Sequence, residues 1–159
     1  MDVMESPVER PKHRQKHWYS GKKKRHTIKS QIVICAKTKM IIAVFIDCGS
    51  THDFKMWKKS IGVKVVKHIK IQADSGYQGI DKFHKNSETP AKKSKKHPLT
   101  KEEKSNNHRI GSERISVEHV NCRLKRLHIL AERYRNRRKR FGLRLSLFAG
   151  LHNFELLHV

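Results

Sequence analysis

Six consecutive apolar residues, Ile41-Ile42-Ala43-Val44-Phe45-Ile46, constrain the fold of this chain more than any other feature. The run is short and rich in β-branched side chains, so it reads as a strand, and its lack of polar alternation suits a central strand covered on both faces. Thr27 to Ala36 supplies a preceding β-branched segment, with Lys37-Thr38-Lys39 as the turn and Met40 to Phe45 or Asp47 as the return strand. That pattern is a hairpin.

Gly49 ends the return strand, and Ser50 or Thr51 can cap a helix that begins near His52 and Asp53. Phe54, Trp57 and Ile61 would form its inner face, and Asp53 falls in the first turn, where free N–H groups favour an acid. Val65 to Ala73 contains the next strand, which puts Asp74 at its C-terminal end. Gly76 and Gly79 then allow a tight loop into a short helix over Ile80 to Phe83. Residues 6–26 read as a basic loop or two short edge segments, and 88–98 as a basic linker with a brief strand near Thr89–Lys92. Thr100 and Glu103 have capping-box spacing behind Leu99. The helix they start is expected to break at Ile110-Gly111-Ser112. Glu113 to Glu132 is the strongest helix, with Val117, Val120, Leu124, Leu127 and Ala131 as its buried stripe. Leu143 to Leu157 reads as a final amphipathic helix with Gly150 as its weak point. Strands and helices alternate, which is an α/β pattern, and 159 residues make one domain with one modest core.

The chain carries 37 Lys and Arg against 14 Asp and Glu, a net charge of +23. Such an excess predicts attraction to a polyanion, and nucleic acid is the best candidate. A membrane surface is disfavoured, since no segment combines a basic helix with a clean apolar face and aromatic anchors. No apolar run approaches the roughly 20 residues of a membrane span, and the acidic N-terminus is no signal peptide. Cys35, Cys48 and Cys122 lack CxxC spacing and the histidines are scattered. They give neither a zinc site nor a disulfide frame, and the cysteines read as small buried or half-buried residues of a reducing compartment.

Against this basic background three acids stand out: Asp2 in MDVMESP, Asp74 in ADSGYQG and Glu118 in SERISVEHV. Phosphodiester chemistry needs an activated oxygen nucleophile and a stabilised leaving oxygen, which two Mg²⁺ ions about 3.5–4 Å apart can supply. Hard divalent ions want carboxylate oxygens. Each residue also has a plainer reading. An Asp before Ser-Gly is commonly a turn residue, and Glu118 with Arg114 and Lys125 could be a salt-bridged solvent face. Arg114 precedes Glu118 by one turn, and Lys125 follows by two turns, about 10.5 Å along the axis. Only Met1-Asp2-Val3 is left for a strand ending at the first acid, so that strand is expected to be a stub or absent.

The segments DVMESPVERP, HWYSGKKKRHTIKSQ, GSTHDFKMWKKS, ADSGYQG and SERISVEHVNCRLKRLHILAERYRNRRKRFGLR together resemble the DDE transposases of bacterial insertion sequences, in the IS5-like class. The resemblance covers nearly the whole chain. It implies an RNase H-like fold, N-terminally truncated, in which residues 1–159 form a partial catalytic domain. It implies Mg²⁺, with Mn²⁺ as a substitute, bound by Asp2, Asp74 and Glu118, which would nick DNA and transfer the 3′ hydroxyl. Arg114, Glu118 and Lys125 keep the spacing of the third family motif, whose Tyr position is Gly111 here, and Asp53 joins Arg114 and Lys125 as a supporting residue. Met4 departs from the small polar residue usual after the first acid, and its thioether bears on the metal pocket. The implied partners are element ends and target DNA, with self-association or an upstream-frame product besides, in a nucleoid-associated bacterial cytoplasmic setting.

Two basic patches would hold DNA phosphates. Arg14, Lys16, Lys22, Lys23, Lys24 and Arg25 form the first, with Trp18-Tyr19 available either to stack on a base or to pack on the hairpin. Arg133, Arg135, Arg137, Arg138, Lys139 and Arg140 form the second, a DNA track or a solvated turn. The competing function is a non-catalytic basic nucleic-acid-binding protein or an inactive transposase remnant.

Overall fold

The computed structural model describes residues 1–60, 64–93 and 98–158. The expected hairpin is present, as β3 (Arg25–Ile34) and β4 (Ile41–Cys48), preceded by β1 (Asp2–Pro7), the short helix α1 (Gln15–Trp18) and β2 (Tyr19–Ser20). β3 is the middle strand. β1 lies antiparallel on one side of it, from Asp2 opposite Ile32 to Pro7 opposite Thr27. β4 lies antiparallel on the other, from Cys48 opposite Ile28 to Ile41 opposite Ile34. β2 pairs with the first residues of β3.

This order corrects the reading of the apolar run as a central strand. β4 carries the run at an edge of the sheet, and Ile42 is 67% exposed. The central position belongs to β3, whose buried residues include Ser30 and Gln31. The closing helix α5 (Phe141–Leu157) packs along β4, yet every residue from Ala43 to Asp47 stays half-buried, so neither face is fully covered.

Alternation along β3 divides the interior in two. Ile28 and Ile32 face Met4, Val120, Leu124, Phe141 and Leu145, the contact with α3 (Lys101–Lys125) and α5. Val33 faces the smaller cluster of Trp57, Ile71, Tyr77 and Ile80 around α2 (Asp53–Lys59). Helices therefore cover both faces of the β1–β3–β4 unit. The α/β expectation holds at that level.

Other boundaries move. His52 caps α2, its Nδ1 accepting from the Phe54 N–H at 3.4 Å, so neither Ser50 nor Thr51 does so. Ser50 instead donates to the His17 carbonyl at 2.7 Å. Ile61, expected on the inner face of α2, lies outside the described residues. Gly49 closes this corner because a Cβ there would lie 2.6 Å from the Trp18 carbonyl oxygen and 2.9 Å from that of Thr27. The strand expected over Val65–Ala73 shrinks to β5 (Ile71–Gln72), parallel to β6 (Ser87–Glu88), which replaces the strand expected at Thr89–Lys92. Gly79, at φ 85°, turns the chain into a 3₁₀ turn at Ile80–Lys82.

The capping box forms: Thr100 Oγ1 accepts from Glu103 N–H at 3.2 Å, and Glu103 accepts from Thr100 N–H at 2.8 Å. The helix it starts does not break at Gly111 but runs unbroken through Lys125. A mid-helix glycine costs about 1 kcal/mol, and burial of Ile110 and Val117 on either side offsets that. The helix also ends sooner than Glu132. Leu127 leaves the helical path before α4 (His128–Ala131), so Leu127 and Ala131 are exposed rather than part of the stripe. Cys122 is exposed as well, against the expectation of a buried or half-buried thiol.

Candidate active site

β1, β5 and α3 meet at the end of the sheet where Asp2 and Asp74 lie. Asp2 opens β1 with its side chain toward α3, where its Oδ2 accepts from Asn121 Nδ2 at 2.9 Å. Asp74 follows β5 and caps the 3₁₀ turn Ser75–Tyr77, its Oδ1 accepting from Ser75 N–H at 2.6 Å. Arg114 of α3 stands between the two acids, 3.8 Å from Asp2 Oδ1 and 3.5 Å from Asp74 Oδ1. Its side chain is only 10% exposed, so this guanidinium is a largely buried counter-charge.

Glu118 sits one turn beyond Arg114 and just under a turn before Asn121, on the helix face that carries both contacts to Asp2. It is exposed and forms no ion pair among the described residues. Lys125 continues the same face, also exposed. The structure thus brings Asp2, Asp74 and Arg114 into one cluster and aligns Glu118 beside it. Among the described residues no three His, Cys, Asp or Glu side chains form a group that could enclose a metal.

Asp53 belongs to the same neighbourhood. Lys29 Nζ donates to Asp53 Oδ1 at 2.7 Å and to the Thr51 carbonyl at 2.7 Å. The other Asp53 oxygen lies 3.6 Å from where a Gly76 Cβ would be, beside the Asp74 loop. Tyr77, buried beneath that loop, accepts a hydrogen bond from Gln31 Nε2 at 3.0 Å. Burial first, and then the charges of Asp53, Asp2 and Asp74, push its phenol far above the ordinary value against the effect of that hydrogen bond. Tyr77 therefore stays neutral, buried beneath the Asp74 loop.

A polar lattice fixes α3 across this end. Arg109 pairs with Glu88 at 3.2 Å and with Glu113 at 2.8 Å, and Gln72 donates to both Glu88 and Glu113. These contacts tie α3 to β5 and β6 about one and a half and two and a half turns before Glu118, and so set its height against Asp74. Met4, which departs from the family pattern, is buried in the larger core with Val120 and Leu124.

Oxygen donors dominate the cluster, and a cation already lies between two of them. Asn121 Oδ1 is buried beside Asp2 without a partner. The unpartnered amide oxygen is the donor type a hard divalent ion takes, whereas the guanidinium is itself the cation between the two acids. Sequence reasoning missed Asn121, Lys29 and Gln31. Only Asn121 had a discoverable signal, its seven-residue step from Arg114 along one helix face.

The two basic patches meet. Arg138 lies over the Trp18 ring at 4.9 Å, and Trp18 packs against the larger core. Trp18 is thus committed to packing, while Tyr19, 41% exposed, stands edge-on to His26. Arg14, Lys16, Lys22, Lys23, Lys24, Arg25, Arg135, Arg137, Lys139 and Arg140 are exposed, and none pairs with a carboxylate among the described residues.

The profile of the DDE superfamily endonuclease family matches residues 1–153, and the chain belongs to that family. It is 54% identical over 156 residues to a probable transposase for insertion sequence element IS702 from Microchaete diplosiphon. That alignment takes in 98% of this chain and 56% of the relative, so the chain spans little more than half the relative's length. No solved structure matches. No helix among the described residues is long and apolar enough to cross a membrane.

Proposed function

We propose that this chain carries the catalytic acids of an insertion-sequence transposase, in an RNase H-like arrangement that cleaves DNA strands and joins the 3′ ends to target DNA. The observation that carries the reading is the convergence of Asp2 and Asp74, 72 residues apart in sequence, on one buried guanidinium. Asp2 and Asp74 would hold the metal, with Glu118 closing the set from α3. When bound, Mg²⁺ supplies activation of the attacking oxygen and stabilisation of the leaving one.

The chain's own residues prepare for this. Asn121 fixes the Asp2 carboxylate by hydrogen bonding one oxygen. Arg114 stands between the two acids and offsets their mutual repulsion. Lys29 fixes Asp53 by an ion pair at 2.7 Å, and Tyr77 fills the space beneath the Asp74 loop. Lys125 and the exposed cations of both patches would grip the phosphates of the element ends and the target.

One observation favours a second reading, a basic nucleic-acid binder without catalysis: Glu118 does not close with the other two acids into a metal-enclosing group. Both readings expect duplex DNA binding whose affinity falls steeply with salt, by about 10³-fold or more between 50 and 200 mM if six or more phosphates are contacted. Only the first expects Mg²⁺-dependent nicking of supercoiled plasmid. A salt-insensitive affinity would contradict both, and binding without nicking would leave the second standing.

A further inference from the structure

α5 has two apolar faces and uses one. Phe141, Leu145, Ala149 and His152 are buried against the sheet. At about 100° per residue, Leu143, Leu147, Leu151, Phe154 and Leu157 fall on the opposite side. They are 74%, 60%, 48%, 59% and 68% exposed. Gly150 and His158 complete this stripe, and no charged residue interrupts it. A helix that is apolar all round is normally buried, and a contiguous apolar patch of this extent marks an interaction surface.

We propose that this stripe packs against the same stripe of a second copy of the chain, as an antiparallel helix pair with its two-fold axis beside Gly150. The inference is independent of the chemistry assigned to the acids. Its first support is self-complementarity. A two-fold between positions 150 and 151 sets Leu147 opposite Phe154 of the second copy, and Leu143 within one residue of Leu157. Gly150 falls at the centre, where an added Cβ would meet nothing within 4 Å, so the two backbones can approach closely.

The second support is area. Five side chains at these exposures present roughly 500 Å² per copy, so self-pairing buries about 1,000 Å², the lower limit of a specific interface. The third is charge. At +23 per chain, two copies repel over most of their surfaces, and a stripe without Lys or Arg is where they can meet. Arg144 and Glu155 flank the stripe along one edge at nearly symmetric heights about the axis. Each Glu155, which pairs with Arg123 in its own chain at 2.9 Å, comes within about two residues' rise, roughly 3 Å, of Arg144 of the second copy.

Sedimentation equilibrium at about 0.3 M salt, where charges are screened beyond roughly 6 Å, reads the oligomeric state directly. The expected result is a concentration-dependent dimer. Leu147→Glu should raise its dissociation constant at least about a hundredfold, with far-UV circular dichroism and thermal melting of the monomer unchanged. The double variant Leu147→Glu/Phe154→Lys should recover the dimer, since the two-fold sets the new charges opposite each other. A wild-type chain that is monomeric throughout, a dimer indifferent to Leu147→Glu, or a double variant that stays monomeric would each overturn the proposal.

Discussion

Asp74→Ala is expected to lower Mg²⁺-dependent nicking of duplex DNA by at least about 100-fold, the scale of losing one preorganised charge-stabilising group. The residue is fixed on both sides: its own loop donates Ser75 N–H to it, and Arg114 faces it from α3. Alanine removes the carboxylate and its cap on Ser75 N–H, while burial of Tyr77 still anchors the loop. DNA affinity should stay level or rise slightly, because Arg114 loses one of its two acids and the surface becomes more positive. Glu118→Gln should lose activity to the same degree, with binding again intact. Lys125→Ala should do the opposite, weakening binding across all sequences with a smaller effect on the rate of bound DNA. Single-turnover plasmid nicking beside filter binding separates these outcomes. Nicking that survives Asp74→Ala would remove that residue from the chemistry.

Phe141→Ala should destabilise the fold by about 3–5 kcal/mol, the range for deleting a buried aromatic ring. Phe141 is fully buried at the start of α5, and its ring meets Tyr134 edge to face with centroids 5.0 Å apart. Tyr134 in turn binds the strand end at Pro7, its N–H donating to the Pro7 carbonyl at 2.8 Å. The ring therefore couples α5, the basic turn before it and β1, which carries Asp2. At roughly 2–4 °C per kcal/mol for a domain of this size, the melting temperature should fall by about 10 °C. Urea unfolding checks the free energy, and a loss below about 1 kcal/mol would show that the α5 interface is not the main core.

Local chemistry makes several parts of this fold legible in the sequence. The hairpin followed from β-branched runs around Lys37-Thr38-Lys39, and the start of α3 from Thr100 and Glu103, whose capping box needs only a three-residue spacing. Strand order was not legible. An unbroken apolar run predicts a covered central strand, but β4 is a half-buried edge strand, because which strand lies between two others depends on pairing over long sequence distances. The continuity of α3 through Gly111 was hidden for a similar reason, since burial of Ile110 and Val117 outweighs local propensity only once the sheet is in place. In the site, the family motifs singled out Asp2, Asp74, Glu118 and Arg114, yet the role of Arg114 as a bridge between two acids comes from tertiary placement. Lys29 and Gln31 looked like ordinary polar alternation in a strand. Their partners, Asp53 and Tyr77, lie 24 and 46 residues away.

Titration of the protein with Mn²⁺, followed by the relaxation of water protons, bears most directly on whether these carboxylates form a metal site. The expected result is saturable binding that Asp2→Asn, Asp74→Asn and Glu118→Gln each weaken at least tenfold. Binding of equal strength in all three variants, or none in the parent protein, would contradict it.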